Sequence, residues 1–276
     1  MLPRHAILWI GLLAACAGAL YGFQKPFREY PGMEYNDFPL PPDYQEKTEF
    51  VFARLMYPDA YGAFGFRRRF ADWREGYTNW TNDYPRSDRH LMVALRRLTR
   101  LHVRSVEQAV NLEDGGDVFN YPFLYMVRAG NGQFTEDQVA KLREYLARGG
   151  FFIADDIWGD REYANFQQNI SRVLPDRPII EVPDADPAFH TVYDLDQRYQ
   201  ISGQWSLRSG IPYLNGGIVP HWRAIYDDKQ RLQVAIWVNN DTGDSWEWAD
   251  DPTYPERYSA LGIRLAVNYV VYAMTH

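Results

Sequence analysis

Two adjacent carboxylates stand where a buried strand should end, in the stretch RGGFFIADDIWGD at residues 148–160. A strand is predicted over residues 151–154, and Asp155 and Asp156 follow it directly. In open parallel sheets, ligands bind beyond the carboxyl ends of the strands, because loops and helix N-termini converge there. Side chains alternate along a strand, so the two carboxylates should point in different directions. We expect one to cap the following helix and the other either to lie in solvent or to face a crevice, where it would contact a ligand, bind a metal or act as a catalytic acid or base.

Three further clusters of polar and aromatic residues occupy predicted turns. Residues 80–85, WTNDYP, precede a predicted helix, and residues 239–248, NNDTGDSWEW, follow a predicted strand. Asn, Asp, Gly and Ser form turns by themselves, so a purely structural role remains open for both clusters. In the third cluster, residues 186–190, DPAFH, His190 is either a general base or a hydrogen-bonded structural residue beside aromatic rings.

The carboxylates of residues 239–248 match a calcium-binding loop only loosely. Asp241, Asp244 and Glu247 are spaced along one turn, but the twelve-residue pattern with a central Gly and a terminal Glu is missing. We therefore predict no metal and keep these three residues as weak metal candidates. The sequence also has no G-x-S-x-G, G-x-G-x-x-G, P-loop or H-E-x-x-H motif, and we expect no cofactor.

Composition excludes several classes of function. The 276 residues carry a net charge of −7, which gives no basic surface for nucleic acid and would be repelled by anionic lipid. The only cysteine is Cys16, so the domain that follows the N-terminal segment has no thiol nucleophile, disulfide or cysteine zinc site. Aromatic residues make up 16% of the chain, including nine Trp and twenty Tyr. They are either large core residues or the lining of a cleft for a sugar or peptide.

An export signal is predicted at residues 1–23. A short basic end precedes an apolar run, and Ala17-Gly-Ala19 supplies small residues for cleavage. Without cleavage, the apolar residues 6–23 are just long enough to span a bilayer as an N-terminal membrane anchor. The motif LAAC, ending at Cys16, also resembles a bacterial lipobox, in which Cys16 would be lipidated. All three alternatives predict an exported protein, periplasmic or anchored facing the periplasm, with membrane contact only through this segment or its lipid.

The remaining chain divides into an arm and one domain. Residues 24–48 are rich in Pro and Tyr and predict an extended arm, and residues 49–276 predict a single α/β domain. Strands are expected at residues 50–57, 119–127, 151–154, 178–182, 223–226 and 232–238. Helices are expected to begin at Ser87, after the capping box of Thr135 and Gln138, near residue 161 and at Ser259. This alternation predicts a mainly parallel sheet covered by helices on both faces.

Several motifs in order along residues 49–276 are similar to a known bacterial family, called domain of unknown function 4159. They are NDYPRSDRHLMVALRRLT, FNYPFLYM, LREYLARGGFFIADD, VLPDRPIIEV and DSWEWADDPTYPERYSALGIRLAVNYVVYAMTH. The resemblance implies a fold similar to that of class I glutamine amidotransferases, a flavodoxin-like three-layer α/β/α sandwich. It also implies export or attachment to membrane segments, but it brings no activity, substrate or cofactor.

The same resemblance argues against amidotransferase chemistry. Active amidotransferases carry a nucleophilic cysteine on a tight turn after a glycine-led strand. The comparable strand here ends in Asp155 and Asp156, and the domain has no cysteine. Thiolate catalysis of that class is therefore excluded, and we do not expect a functional glutamine amidotransferase.

The sequence leaves three hypotheses for function. The first is an exported, non-catalytic protein of the cell envelope that binds a glycan or peptide. Its predicted cleft is lined by Trp80, Asp83, Tyr84, Tyr125, Asp155, Asp156, Trp158, His190, Asp241 and Trp246. The second is a carboxylate-dependent hydrolase of such a ligand, with or without a metal ion, in which Asp155 or Asp156 works with His190. The third is an envelope assembly component whose arm docks a protein partner.

Overall fold

The computed structural model describes residues 25–35, 38–60 and 72–276. The predicted export signal, with Cys16, lies outside these residues. Within the three described ranges, no helix combines the length and the apolar character that crossing a bilayer requires.

Within the described residues, seven strands form one sheet at the centre of the domain. They are β1 (Ala53–Met56), β2 (Gln108–Asn111), β3 (Phe123–Met126), β4 (Phe151–Ile157), β5 (Ile180–Glu181), β6 (His221–Tyr226) and β7 (Leu232–Val238). Their order is β2-β1-β3-β4-β7-β6-β5. The first five in this order are parallel, whereas β6 runs antiparallel to β7 and β5 antiparallel to β6. The parallel part has the strand order of flavodoxin-like folds.

Helices cover both faces of the sheet. In the part of the chain that the structure describes they are α1 (Arg86–Leu98), α2 (Glu136–Ala147), α3 (Gly159–Val173), α4 (Gln204–Ser209), α5 (Thr242–Glu247) and α6 (Glu256–Thr275). Helices α1, α5 and α6 pack together on one face, where Leu95 and Leu265 meet Ile153 in one apolar cluster. On the other face α2 packs against α3, and Leu142 joins Phe152 in a second cluster. The predicted three-layer α/β/α sandwich with a mainly parallel sheet is confirmed.

Several local predictions are also confirmed. Helix α2 begins with the predicted capping box of Thr135 and Gln138, and Gly149 follows it with a φ of 94°, a backbone conformation that favours glycine. The last predicted strand, residues 232–238, has the bounds of β7. The strand order places β4 in the interior of the sheet, between β3 and β7, as its continuous apolar run predicts.

Other elements differ from the predictions. Helix α1 begins at Arg86, so Ser87 is not its cap but lies in the first turn, where its hydroxyl accepts a hydrogen bond from Arg54. Ser259 likewise lies inside α6, which begins at Glu256. The predicted strand over residues 119–127 shortens to β3, because residues 117–120 form a 3-10 helix. Strand β2, at the edge of the sheet, was not predicted at all, because only two residues of its short sequence, QAVN, are apolar.

The arm lies against its own domain in the described residues. The ring of Tyr30 packs edge-on against Trp80, with 5.3 Å between ring centroids. The Tyr35 hydroxyl donates a hydrogen bond to Glu247, and Arg89 donates one to the carbonyl of Phe38. The aromatic residues of the arm are therefore engaged within the chain.

Candidate functional site

A cleft of about 990 Å³ opens at the edge where the parallel strands end. This volume lies at the upper end of the range of small-molecule sites, about 300–1,000 Å³. Its carboxylates are Glu34, Asp83, Asp156, Glu162, Asp241 and Asp244, its amides include Asn79, Asn82, Asn131 and Asn215, and its cations are Arg128 and Arg161. The position agrees with the rule that ligands of open parallel sheets bind beyond the carboxyl ends of the strands.

Asp155 points away from this cleft, into the layer of α1 and α5. Its carboxylate accepts hydrogen bonds from the Tyr125 hydroxyl at 2.9 Å and from the backbone N–H groups of Thr242 and Gly243 at 3.1 and 3.0 Å. The Thr242 hydroxyl adds a fourth at 3.1 Å. Burial and the neighbouring charge of Asp156 raise the pKa of Asp155 to about 7, although these donors favour the ionised form. Asp155 therefore caps α5 rather than the helix that follows it in sequence.

Asp156 faces the cleft, as alternation along the strand predicts. Its backbone has a φ of 56°, and the pairing of β4 with β7 shifts register between Ala154 and Ile157. Such a bulge re-aims a side chain at the end of a strand. The indole N–H of Trp158 donates to Asp156 Oδ1 at 2.6 Å. Burial raises the pKa of Asp156, and the charge of Arg128 opposes that rise.

Asp83 approaches the same cleft from the segment before α1. It is fully buried and has a φ of 59°. The Asn82 side-chain amide donates to its Oδ1, whereas its Oδ2 has no hydrogen-bond partner among the described residues. Burial raises the pKa of Asp83 well above the usual range, and repulsion by Asp244 and Asp241 adds to the rise.

Asp241 and Asp244 lie at the start of α5 and complete a compact acidic group with Asp83. One carboxylate oxygen from each of the three residues lies within 4.8 Å of the other two. The Asp244 N–H donates to Asp241 Oδ1 at 3.0 Å, and the Gln204 N–H donates to Asp244 Oδ2 at 2.5 Å. Burial raises the pKa of both residues well above the usual range.

Two glycines make room for these carboxylates. A Cβ on Gly203 would lie 2.4 Å from Asp241 Oδ2 and 2.9 Å from Asp244 Oδ2. A Cβ on Gly243 would lie 2.3 Å from Asp83 Oδ2. The backbone of the chain therefore closes directly around the acidic group at two points.

Glu247, the third of the weak metal candidates, lies beside this group but not in the lining of the cleft. It is buried, and Tyr35 donates a hydrogen bond to its Oε1. It forms a second acidic group with Glu34 and Asp83, again with one oxygen of each within 4.8 Å of the others. Burial raises the pKa of Glu247 well above the usual range, and repulsion by Asp83 adds to the rise.

The predicted aromatic lining of the cleft is placed in the core instead. The five residues concerned are at most 1% exposed, namely Trp80, Tyr84, Tyr125, Trp158 and Trp246. Residue type alone does not distinguish an aromatic side chain in the core from one in a cleft, because both positions favour large rings with a polar tip. The aromatic side chain that does line the cleft is Trp205, the second residue of α4, which is 77% exposed. Its sequence context, SGQWSLRSG, is the polar setting that would have indicated exposure.

His190 lies outside the lining of the cleft. Its Nδ1 bonds the carboxylate of Asp194 at 3.0 Å, and its Nε2 bonds the carbonyl of Asp184 at 2.8 Å. Both partners are acceptors, so both ring nitrogens donate when His190 is charged. These two hydrogen bonds raise the pKa of His190, and the one to the Asp184 carbonyl has the larger effect. The structure therefore does not bring His190 together with Asp155 or Asp156.

Four charged residues of the cleft were missed by sequence reasoning, namely Glu34, Arg128, Arg161 and Glu162. Arg128 follows the end of β3, with a φ of 45°. Burial alone would lower the pKa of Arg128, but the charges of Asp156 and Glu162 raise it. Glu162 accepts hydrogen bonds from the Trp158 N–H at 2.9 Å and from the Asn215 side chain at 2.8 Å. The position of Arg128 just after a strand was a usable signal, whereas the contact of Asn215 joins parts of the chain too distant in sequence to predict.

Comparison with known proteins gives one family. The family model described as "Domain of unknown function (DUF4159)" matches residues 69–274. No curated protein matches the sequence.

Proposed function

The chain belongs to the DUF4159 family, and we propose that it is a ligand-binding protein whose cleft takes a polyhydroxylated or cationic ligand. The observation that carries this proposal is the presence of carboxylates, amides and the exposed Trp205 in one cleft. Carboxylates accept hydrogen bonds from hydroxyl groups and attract cations, and an exposed indole offers a face to a sugar ring. Glycan or peptide fragments of the cell envelope combine these chemical features and are the ligand class that we propose.

Trp205 is the best probe of this function. It is 77% exposed, so its ring is available to a ligand, and Leu214 and Asn215 line the same cleft. A ligand that stacks on the indole would leave its polar groups free to reach the carboxylates. Trp205 should therefore contribute to affinity while contributing little to folding.

Isothermal titration calorimetry of the full chain in mild detergent tests the proposal, with wall-derived muropeptides and polyamines as probes. We expect saturable binding of at least one probe and about five- to tenfold weaker binding by Trp205→Ala, because loss of a stacked ring costs on the order of 1–1.5 kcal/mol. Ile211→Ala is the matched control, since Ile211 is exposed and apolar but does not line the cleft. Absence of binding by both probes, or equal effects of the two variants, would refute the proposal.

A second candidate function, hydrolysis of the same ligand class, is favoured by the position of two buried carboxylates, those of Asp156 and Asp241, in one cleft. Burial raises the pKa of Asp156, so this carboxyl keeps a proton to higher pH, as a general acid must. Asp241 lines the same cleft and is available as a second carboxylate. Incubation of wall fragments with the wild type and with Asp156→Asn tests this candidate. Hydrolysis predicts products from the wild type alone, and unchanged fragments with the wild type would rule it out.

Export and kinship to amidotransferases remain parts of the proposal. The apolar residues 6–23 support export, which cell fractionation and the mass of the mature N-terminus would test. The order of the parallel strands and the left-handed backbone of Asp156 near the end of β4 support kinship to class I amidotransferases. With Cys16 the only cysteine, we propose that glutaminase activity is absent, and ammonia release from glutamine would contradict this.

A further inference from the structure

Three carboxylates from separate parts of the chain converge inside the cleft. Asp83 comes from the segment before α1, and Asp241 and Asp244 come from the start of α5. One oxygen of each lies within 4.8 Å of the others, and their exposed fractions are 0%, 8% and 8%. Carboxylates that are this close and this buried repel one another unless a proton or a cation lies between them.

Two buried oxygen atoms in this cleft lack a hydrogen-bond donor among the described residues. Asp83 Oδ2 is buried and has no hydrogen-bond donor among the described residues. Asn79 Oδ1, in the same cleft, is likewise buried without a donor in the described ranges. A buried acceptor without a partner costs about 1–3 kcal/mol, and more when it is charged. Both atoms are acceptors, so each needs a donor or a positive ion.

Two arginines near this group interact more strongly with other residues than with Asp83. Arg54, which is also fully buried, directs its guanidinium to Asp88 and to the carbonyls of Trp80 and Asn82. Arg128 interacts electrostatically with Asp156 and Glu162. Among the neighbours that most affect the pKa of Asp83, the four largest charges are all carboxylates, beginning with Asp244 and Asp241.

We propose that Asp83, Asp241 and Asp244 bind a hard divalent cation, Ca²⁺ or Mg²⁺, inside this cleft. The ligand set contains only oxygens, which these two ions prefer over nitrogen and sulfur ligands. Oxygens on opposite sides of Ca²⁺ lie about 4.8 Å apart, twice a typical Ca–O distance of about 2.4 Å, and opposite oxygens of Mg²⁺ lie about 4.2 Å apart. A separation of up to 4.8 Å therefore accommodates Ca²⁺ as it stands and Mg²⁺ after a small contraction.

Two features of the backbone fit this role. Gly203 and Gly243 let the main chain approach the carboxylate oxygens more closely than any residue with a Cβ would allow. The N–H groups of Asp244 and Gln204 each engage one oxygen of a carboxylate and so fix its orientation. Such contacts to ligating carboxylates hold them in position around a metal.

Equilibrium dialysis of the full chain in mild detergent, after removal of metals with a chelator, tests the proposal. CaCl₂, MgCl₂ and MnCl₂ are supplied separately, without organic ligand, and bound metal is measured by atomic emission. We expect about one ion per chain from Ca²⁺ or Mg²⁺, accompanied by a rise in Tm through binding to the folded state. Stoichiometric binding of neither Ca²⁺ nor Mg²⁺ would overturn the proposal without reference to any variant.

Variants locate the site. Loss of a residue that only hydrogen-bonds to a metal ligand typically weakens metal binding 10–100-fold. Loss of a ligand itself should cost at least as much, so Asp83→Asn and Asp244→Asn should each bind the metal ion at least about tenfold more weakly. Asp228→Asn is the matched control, because its carboxylate is 89% exposed and lies outside the cleft. If Asp83→Asn and Asp244→Asn, each shown to be folded by circular dichroism, both bound the metal ion with wild-type affinity, the proposed metal site would be refuted. Because no organic ligand is present, this outcome is separate from failure of the proposed ligand-binding function.

Discussion

Asp83 and Asp88 lie five residues apart around the start of α1, and the two buried charged groups to which they belong differ in their partners. Arg54 and Asp88 are both fully buried and form a bidentate ion pair, with donor–acceptor distances of 2.7 and 2.5 Å. Asp83 is equally buried, but the charges that most affect it are those of the carboxylates of Asp244 and Asp241. The first group is neutral as a pair, whereas the second concentrates charge of one sign.

The hydrogen bonds show the same contrast. Besides Asp88, the guanidinium of Arg54 donates to the carbonyls of Trp80 and Asn82 at 3.0 Å each and to the Ser87 hydroxyl at 3.1 Å. Its five N–H groups thus meet five acceptors. Asp83 Oδ2 meets no donor among the described residues. Removing one partner from a completed buried pair is costly for the fold, whereas a buried carboxylate with an unpaired oxygen is a candidate site for a ligand or an ion.

The largest test of this contrast is Arg54→Met. The substitution leaves Asp88 buried without its partner, so we expect a loss of about 3–5 kcal/mol in the free energy of unfolding, measured by urea denaturation. Arg148→Met is the matched control, because its ion pair with Glu144 is 61% and 40% exposed and should contribute about 1 kcal/mol or less. Equal effects of the two variants would show that the Arg54 pair is not structural.

The next test concerns pH and Asp155, the buried carboxylate whose donors are all present. Its pKa in the folded chain, about 7, is higher than its value of about 4 in an unfolded chain. Between these values the folded state binds more protons, so the stability that Asp155 contributes is complete below about pH 4 and is lost as pH rises through about 7. The loss amounts to at most about 4 kcal/mol.

Urea denaturation across this pH window measures the effect. Asp155→Asn should have a lower stability than the wild type at acidic pH and a flatter dependence on pH. A wild type that becomes more stable as pH rises through this window would contradict the assignment, and so would an Asp155→Asn variant with an unchanged slope.

How much of the fold could be predicted from the sequence depends on how far apart in sequence the interacting residues lie. Apolar periodicity and local caps fixed β7 and the start of α2, because those signals lie within a few residues of the elements that they define. Strand β4 continues past its apolar run to Ile157, because Asp155 finds its donors at Thr242 and Gly243. That pairing spans nearly ninety residues of sequence, so the apolar pattern alone ended the strand too early.

The site was predictable in its position but not in its composition. The rule for strand ends brought attention to Asp156 and Asp241, and both line the cleft. Asp83 and Asp241 were also predicted to line it, but their convergence with Asp244 in one acidic group was not predicted, because it depends on the tertiary contact between the segment before α1 and the start of α5. Trp80 and Trp246 were assigned to the cleft by their residue type, but they fill the core, where the same large rings are favoured.

A smaller effect with the opposite sign is expected for Asp83→Asn in the presence of a chelator. The substitution removes one charge from a group of like charges and supplies an amide that can donate to them. We therefore expect a gain of about 1 kcal/mol in the free energy of unfolding near neutral pH. Asp88→Asn serves as the comparison and should lose stability, because it breaks the completed pair with Arg54. A loss from Asp83→Asn as large as that from Asp88→Asn would erase the distinction between the two groups.

The smallest effect on stability is expected for Trp205→Ala. Most of the indole is already in solvent, so its removal loses little buried apolar area. The free energy of unfolding should therefore change by no more than about 0.5 kcal/mol. Trp237→Ala provides the contrast, because Trp237 lies in β7, is fully buried and packs against Tyr269 of α6. Its loss should cost about 3–5 kcal/mol. Urea denaturation of both variants decides the point. A large loss from Trp205→Ala would mean that this side chain supports the fold, and the weaker ligand binding expected of the variant would then follow from a damaged cleft rather than from a missing stacking surface.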